Sequence, residues 1–340
     1  MISLRTSHRG TDVAAARVLL VPALAFALLL APAAASAQET LRTAWGDPDL
    51  QGVWVGSTLT PLERPAQLAG QVYLTEEEAA ALEIRADESR FVERTPREGD
   101  PGTYNQIWFD PGMRTVPDRR TALIVDPPDA RVPYTPEMQE RDRVQAAYRV
   151  NGARNSWVDV DTGERCIGDG VPMFWMGYNP NHQILQTPDH VVIVHEMFRE
   201  RRIIPLDAGG SRRGIRQWNG EIRGHWEGDT LVVESAHFLD GTSERWAATW
   251  RMPTETMHLV ERFTRIDEDT LEYEFTMTDP AKFTRPWTAR VPLTTNQASR
   301  GVTEGPLYEY ACHEGNYSIV NVLSGARAEE RAAAAEDGSH

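Results

Sequence analysis

The sequence predicts a mainly β protein, an antiparallel barrel of eight strands behind an irregular wrapping segment that contains two short helices. Three observations carry this. From about Gln183 onward, eight strand-like runs follow one another at short intervals: QILQT, HVVIVHEM, RRIIPL, IRGHWE, TLVVESAHF, TMHLVERFTRI, TLEYEFTMT and PWTARVPLT. Turn residues separate them, with none of the helical crossovers that a parallel sheet needs. In TLEYEFTMT the alternation is complete: Leu271, Tyr273, Phe275 and Met277 share one face, and Glu272, Glu274, Thr276 and Thr278 the other.

The chain starts with a different kind of text. Arg5, Arg9 and Arg17 precede an apolar run over residues 18–30, which ends in small residues and Ala35-Ser36-Ala37. That is the pattern of a secretory signal peptide over residues 1–37, too short in its apolar part for a spanning helix. Removing 37 of the 340 residues leaves 303, and takes the formal charge from −15 to −17, because the leader carries three Arg and one Asp. The expectation is a periplasmic or secreted protein without stable membrane insertion. So acidic a chain is poorly matched to nucleic acid, which rewards Lys and Arg against phosphate.

Residues 38–165 read as the irregular wrapping segment. Thr75 with Glu78 makes a capping box before an Ala/Leu/Glu run, and Pro136, at the first position of a second helix, follows Thr135. That helix should stop by Gly152. Residues 104–109 and 121–125 read as short strands. Residues 166–327 are the barrel domain, with hairpin turns at Pro188-Asp189, Glu227-Gly228-Asp229 and Asp267-Glu268-Asp269. Both faces of HVVIVHEM are apolar, which suggests a strand covered on both sides. Residues 328–340 form a disordered or helical tail.

Two Gly-x-Trp triplets, Gly52-Val-Trp54 and Gly224-His-Trp226, resemble the opening of the first strand in lipocalin-like barrels. The pieces GDPDLQGVW, RTALIVDPPDAR, GERCI, QTPDHVVIVHEM, GHWEGDTLVVES, VERFTRIDEDTLEYEFTMTDP, FTRPWT and YEYACHEGNY, over most of residues 46–327, resemble an uncharacterised family of exported Gram-negative bacterial proteins. That resemblance carries no reaction. Where the family continues IIPLD with Gly-Arg, this chain reads Asp207-Ala-Gly-Gly.

Chemistry must then come from the residues. Cys166 and Cys312 are the only cysteines, and in an exported chain two cysteines most often form a disulfide. Closing a loop of that size stabilises by roughly 4–5 kcal/mol. A Cys312-His313 nucleophile pair is the rival, and it is weak because neighbouring strand residues point to opposite faces. HExxH, GxSxG, the phosphate-cradling loop and the dinucleotide fingerprint are all missing from the sequence. No cofactor and no metal are expected, although histidines from distant strands could assemble a metal site, and Gly209 to Arg213 could hold an anion.

Titratable groups inside apolar strands are the stronger signal. His195, Glu234, Glu261 and His313 are the candidates for proton transfer, since a carboxylate or imidazole facing a barrel interior has its pKa shifted by desolvation. Arg262 is the candidate for an oxyanion or carboxylate, Trp287 and Tyr310 for packing on a ligand, and Glu314 and Tyr317 for contacts at a barrel rim. The competing structural reading puts these groups on the outer face or in ion pairs that merely hold the barrel. Together they predict a cofactor-independent lyase, isomerase or hydrolase acting on a small hydrophobic or aromatic compound, or else a carrier of the same ligands; a filled barrel with a structural role comes third. The oligomeric state is left open.

Overall fold

In the computed structural model, residues 41–90, 92, 112–151, 154–172, 178–206, 214–243, 245–246, 248–298, 307–313 and 317–337 are described. The leader, the strand expected at 104–109, the loop from Gly209 to Arg213, Glu314 and Gly315 lie outside them. All described residues belong to one compact unit, Thr40–His340.

The eight expected strands form. They are β3 (Asn181–Gln186), β4 (His190–His195), β5 (Arg201–Pro205), β6 (Glu221–Glu227), β7 (Thr230–Ala236), β8 (His258–Arg265), β9 (Thr270–Thr278) and β10 (Trp287–Thr294). Two further strands come from the wrapping segment: β1 (Gly52–Val55) and β2 (Ile124–Asp126). All pairings are antiparallel, in the order β5-β4-β3-β1-β10-β9-β8-β7-β6, with β2 pairing with β10 beside this path. Nine strands thus curl into a nearly closed barrel, one more than the expected eight. The extra strand is GVWV, four residues long, which carries too little alternation to declare itself and gains its place by pairing with β3.

The two end strands, β5 and β6, meet through side chains. A Cβ on Gly224 would lie 2.7 Å from Ile204 Cγ2 and 3.1 Å from Leu206 Cδ2, so glycine lets β6 approach β5 closely. The inner face carries Trp54, Ile184, Val191, Ile193, Ile204, Leu231, Val233, Leu259, Phe263, Phe275, Trp287 and Val291 in one apolar core. Outside, β4 is not fully covered: Val191, Ile193 and His195 are buried, whereas His190, Val192 and Val194 remain half-buried. The apolar outer row of that strand is therefore only partly shielded, contrary to the expectation of cover on both sides.

The wrapping segment holds helix α1 (Glu76–Ser89) and helix α2 (Pro136–Asn151). At α1, Glu78 N donates to Thr75 Oγ1 and Thr75 N donates to Glu78 Oε2, closing the expected capping box. Glu76, Glu77 and Glu78 favour the positive end of the helix dipole. Helix α3 (Ser318–Asp337) makes most of the tail helical.

The disulfide Cys166–Cys312 is formed. It ties the segment 307–313, which has no strand structure, to the loop after α2. That segment lies against the β4–β5 turn: Arg199 Nη1 donates to Glu309 Oε1 at 2.8 Å, and the Phe198 and Tyr310 rings meet edge to face at 5.2 Å. No helix among the described residues is long and apolar enough to cross a membrane.

Candidate functional site

Alternation along three neighbouring strands brings polar groups to one end of the barrel interior. On β3 the inward positions run Gln186, Ile184, His182; on β4 they run Val191, Ile193, His195; on β5 they are Ile204 and Arg202. The register pairs His182 with His195 and Ile193 with Arg202. Across the interior, β8 presents Leu259, Glu261 and Phe263, and β9 presents Tyr273 beside them.

These residues line a cavity of about 20 Å³, with Gly56, Ile184, Ile193, Phe263 and Leu293 as its apolar wall. That is room for about one water molecule. Elsewhere in the interior Trp287 is fully buried and meets Trp250, Phe275 and Phe283 edge to face.

Glu261 is almost completely buried and accepts three hydrogen bonds. Two come from the Arg202 guanidinium, through Nη1 at 2.9 Å and through Nη2, and the third comes from the Tyr273 hydroxyl at 2.7 Å. Such a bidentate pair is geometrically specific, and the additional phenol uses a further lone pair of the carboxylate. Burial works against the charge on Arg202, but the Glu261 carboxylate outweighs it and holds the guanidinium above its usual pKa. Burial, reinforced by the nearby carboxylate, pushes the Tyr273 phenol well up, so it stays a donor. Arg202 Nε has no hydrogen-bond partner among the described residues.

The two histidines meet Nδ1 to Nδ1 at 2.8 Å, so one ring donates and the other accepts. Burial, with Arg251 nearby, pushes His182 down to about 4; burial, with His182, Arg202 and Arg251 nearby, pushes His195 well below its ordinary value. Both rings are therefore neutral near pH 7. His195 Nε2 is buried with no partner among the described residues, so two of the residues that line the cavity, His195 and Arg202, each keep one nitrogen without a hydrogen-bond partner there.

A second pair of acids lies behind this group. Asp169 is buried, 3.9 Å from the Arg251 guanidinium, and burial raises it to about 6. Burial likewise raises Glu200 to about 7, with Asp169 adding to the effect and Arg202 opposing it. Glu196, by contrast, is satisfied by the side-chain amides of Asn179 and Asn181 at 2.6 and 2.7 Å.

Of the residues expected to act, His195 and Glu261 line the cavity together. Glu234 does not: it shares its parity with Val232 on β7, points outward with its side chain 40% exposed, and lies 3.8 Å from His258. Arg262 is also on the outer face, bonded to Glu227 at 2.9 Å. Trp287 is packed in the core away from the cavity, Tyr310 meets Phe198 edge to face, and His313 and Tyr317 are exposed. Glu314 lies outside the described residues.

The sequence alone does not single out Arg202, Tyr273 and His182 for catalysis or binding. The signal for Arg202 was there, since in RRIIP it shares its parity with Ile204, and Tyr273 shares a face with Leu271 and Phe275. What sequence lacked was the pairing that puts β5 opposite β8. No family model, no curated protein and no solved structure matches the chain.

Proposed function

We propose that this chain is an exported, cofactor-independent acid–base enzyme, a lyase, isomerase or hydrolase that acts on a small hydrophobic or aromatic compound. The observation that carries this reading is His195 Nε2: a neutral imidazole nitrogen, buried and without a partner among the described residues, on a histidine that lines a cavity together with Arg202. In the tautomer in which His195 Nδ1 donates to His182, a proton taken up at Nε2 is matched by the Nδ1 proton moving towards His182, so the positive charge is shared between the two rings. Arg202 Nε is placed to receive an oxyanion or carboxylate that develops beside it. Glu261, bound by three donors, orients Arg202 rather than carrying protons.

The cavity is water-sized, so the reading requires that only the reacting group of the ligand enters it, displacing water. A carrier is the second reading, favoured by the apolar lining of Ile184, Ile193, Phe263 and Leu293. The export signal in the sequence and the formed disulfide support a location outside the cytoplasm.

Mass spectrometry of the protein lacking residues 1–37, incubated with extracts of apolar and aromatic metabolites, tests both. Depletion of one compound beyond one equivalent, lost in a folded His195→Ala variant, is the expected outcome. A compound retained unchanged at one equivalent would make the protein a carrier, and turnover that survives His195→Ala would remove the acid–base assignment.

A further inference from the structure

A second, larger cavity, of about 240 Å³, is lined by no barrel strand. Its wall consists of Gln145 on α2, Arg154, Asp159, Asp161 and Glu164 in the loop that follows, and Arg245 with Trp246. Two guanidiniums and three carboxylates therefore face one space. What matters is which of them are already engaged.

The acids are largely spent on their own backbone. Asp159 Oδ2 accepts from the Asn155 and Ser156 amides at 2.9 Å each, and its Oδ1 accepts from the Tyr148 hydroxyl. Asp161 and Glu164 cap each other's turn: Glu164 N donates to Asp161 Oδ1, and Asp161 N donates to Glu164 Oε2. One oxygen of each, Asp161 Oδ2 and Glu164 Oε1, takes no part in these bonds. Arg245 is the opposite case. Its guanidinium carbon lies 3.4 Å from the centroid of the Tyr148 ring, which fixes the plane of the fork, yet none of its N–H groups has a hydrogen-bond partner among the described residues. Burial pushes its pKa down while Asp159 and Asp161 support its charge. A flat, oriented guanidinium with unused donors is the arrangement that binds a carboxylate in bidentate fashion.

The local charge decides the rest. Two cations against three anions leave a net −1, which works against a dianion such as phosphate, while an amine alone leaves the fork of Arg245 unfilled. We propose that this cavity binds a small zwitterion, an α-amino acid with an apolar side chain. Its carboxylate pairs with Arg245, its ammonium is received by the free oxygens of Asp161 and Glu164, and its side chain lies against Trp246. The site is separate from the barrel interior and does not depend on any reaction there.

Isothermal titration of the protein lacking residues 1–37 with L-alanine, L-leucine and L-phenylalanine tests this. The controls are 4-methylpentanoate, which lacks the amine of leucine, 3-methylbutylamine, which lacks its carboxylate, and inorganic phosphate. At least one amino acid is expected to bind at one equivalent, with each control weaker by about tenfold or more. Arg245→Gln should weaken amino-acid binding by a similar factor, and Asp161→Asn, which keeps an oxygen for the Glu164 amide, asks the same of the ammonium end should Arg245→Gln not fold. Absence of binding by all three amino acids, equal binding of 4-methylpentanoate or phosphate, or unchanged affinity in the folded variants would each overturn the proposal.

Discussion

Arg202 on β5 and Glu261 on β8 meet inside the barrel in a bidentate ion pair, their side chains only 3% and 1% exposed. In the hydrogen-bonded order β4, β3, β1, β10 and β9 lie between these two strands, so the pair spans the interior. Burial and His182 lower the pKa of His195, and the same guanidinium that satisfies Glu261 adds to that effect.

A buried pair of this kind costs most when it is half removed. Glu261→Leu or Arg202→Met should each destabilise by about 3–5 kcal/mol, because the surviving partner is left buried and poorly compensated. The double replacement Arg202→Met with Glu261→Leu should lose less than the two single losses combined. Urea denaturation of the four proteins measures the coupling, and additive losses would show that the pair is energetically independent.

The histidine pair predicts acid sensitivity. His182 is neutral in the fold down to about pH 4, whereas the unfolded chain takes up a proton below about 6.5. Its contribution is therefore fully present above pH 6.5 and is lost as pH falls towards 4, by roughly 3 kcal/mol. Replacing His182 by Leu should flatten the dependence of unfolding free energy on pH in that window; an unchanged slope would mean that other groups set it.

Glu200 and Asp169 act in the opposite sense. Their folded values, about 7 and about 6, are raised above those of an exposed carboxyl, so stability is full near pH 4 and declines as pH rises through 6 to 7. Glu200→Gln should therefore match the parent near pH 4 and exceed it at pH 8. Thermal melts at the two pH values check this, and a variant less stable at pH 8 would show that the ionised carboxylate is needed in the fold.

The Cys166–Cys312 bond holds residues 307–313 against the β4–β5 turn. Replacing both cysteines by Ser should cost up to about 4–5 kcal/mol. Hydrogen exchange should rise first in residues 307–313 and in the turn around Phe198, while β8 and β9 stay protected. A uniform rise in exchange would instead mean that the bond stabilises the whole barrel equally.

Much of the fold was legible because its causes are local. Thr75 and Glu78 cap α1 through bonds that span three residues, Gly228 turns between β6 and β7 at φ +61°, and the alternation in β9 sets its inner face without help. The disulfide was legible for another reason: two cysteines permit only one pairing. Parity also separates the proton-transfer candidates, since Glu261 alternates in step with Leu259 and Phe263, whereas Glu234 is out of step with Leu231 and Val233. The consecutive valines Val232 and Val233 blur that distinction when the sequence is read alone.

The sequence by itself determined that eight runs after residue 180 form strands, which residues cap the first helix and which cysteines pair, because each depends on neighbours or on a forced choice. The tertiary structure alone decided that GVWV would sit between β3 and β10, that His182 would face His195, and that Arg202 would find Glu261. It also decided that Lys282, the chain's single lysine, would be buried and bonded to the carbonyls of Trp250 and Met252. The physical reason is range: alternation specifies a face, but which groups share that face across the barrel depends on strand order and on closure by side chains between β5 and β6. Neither is encoded within any one segment.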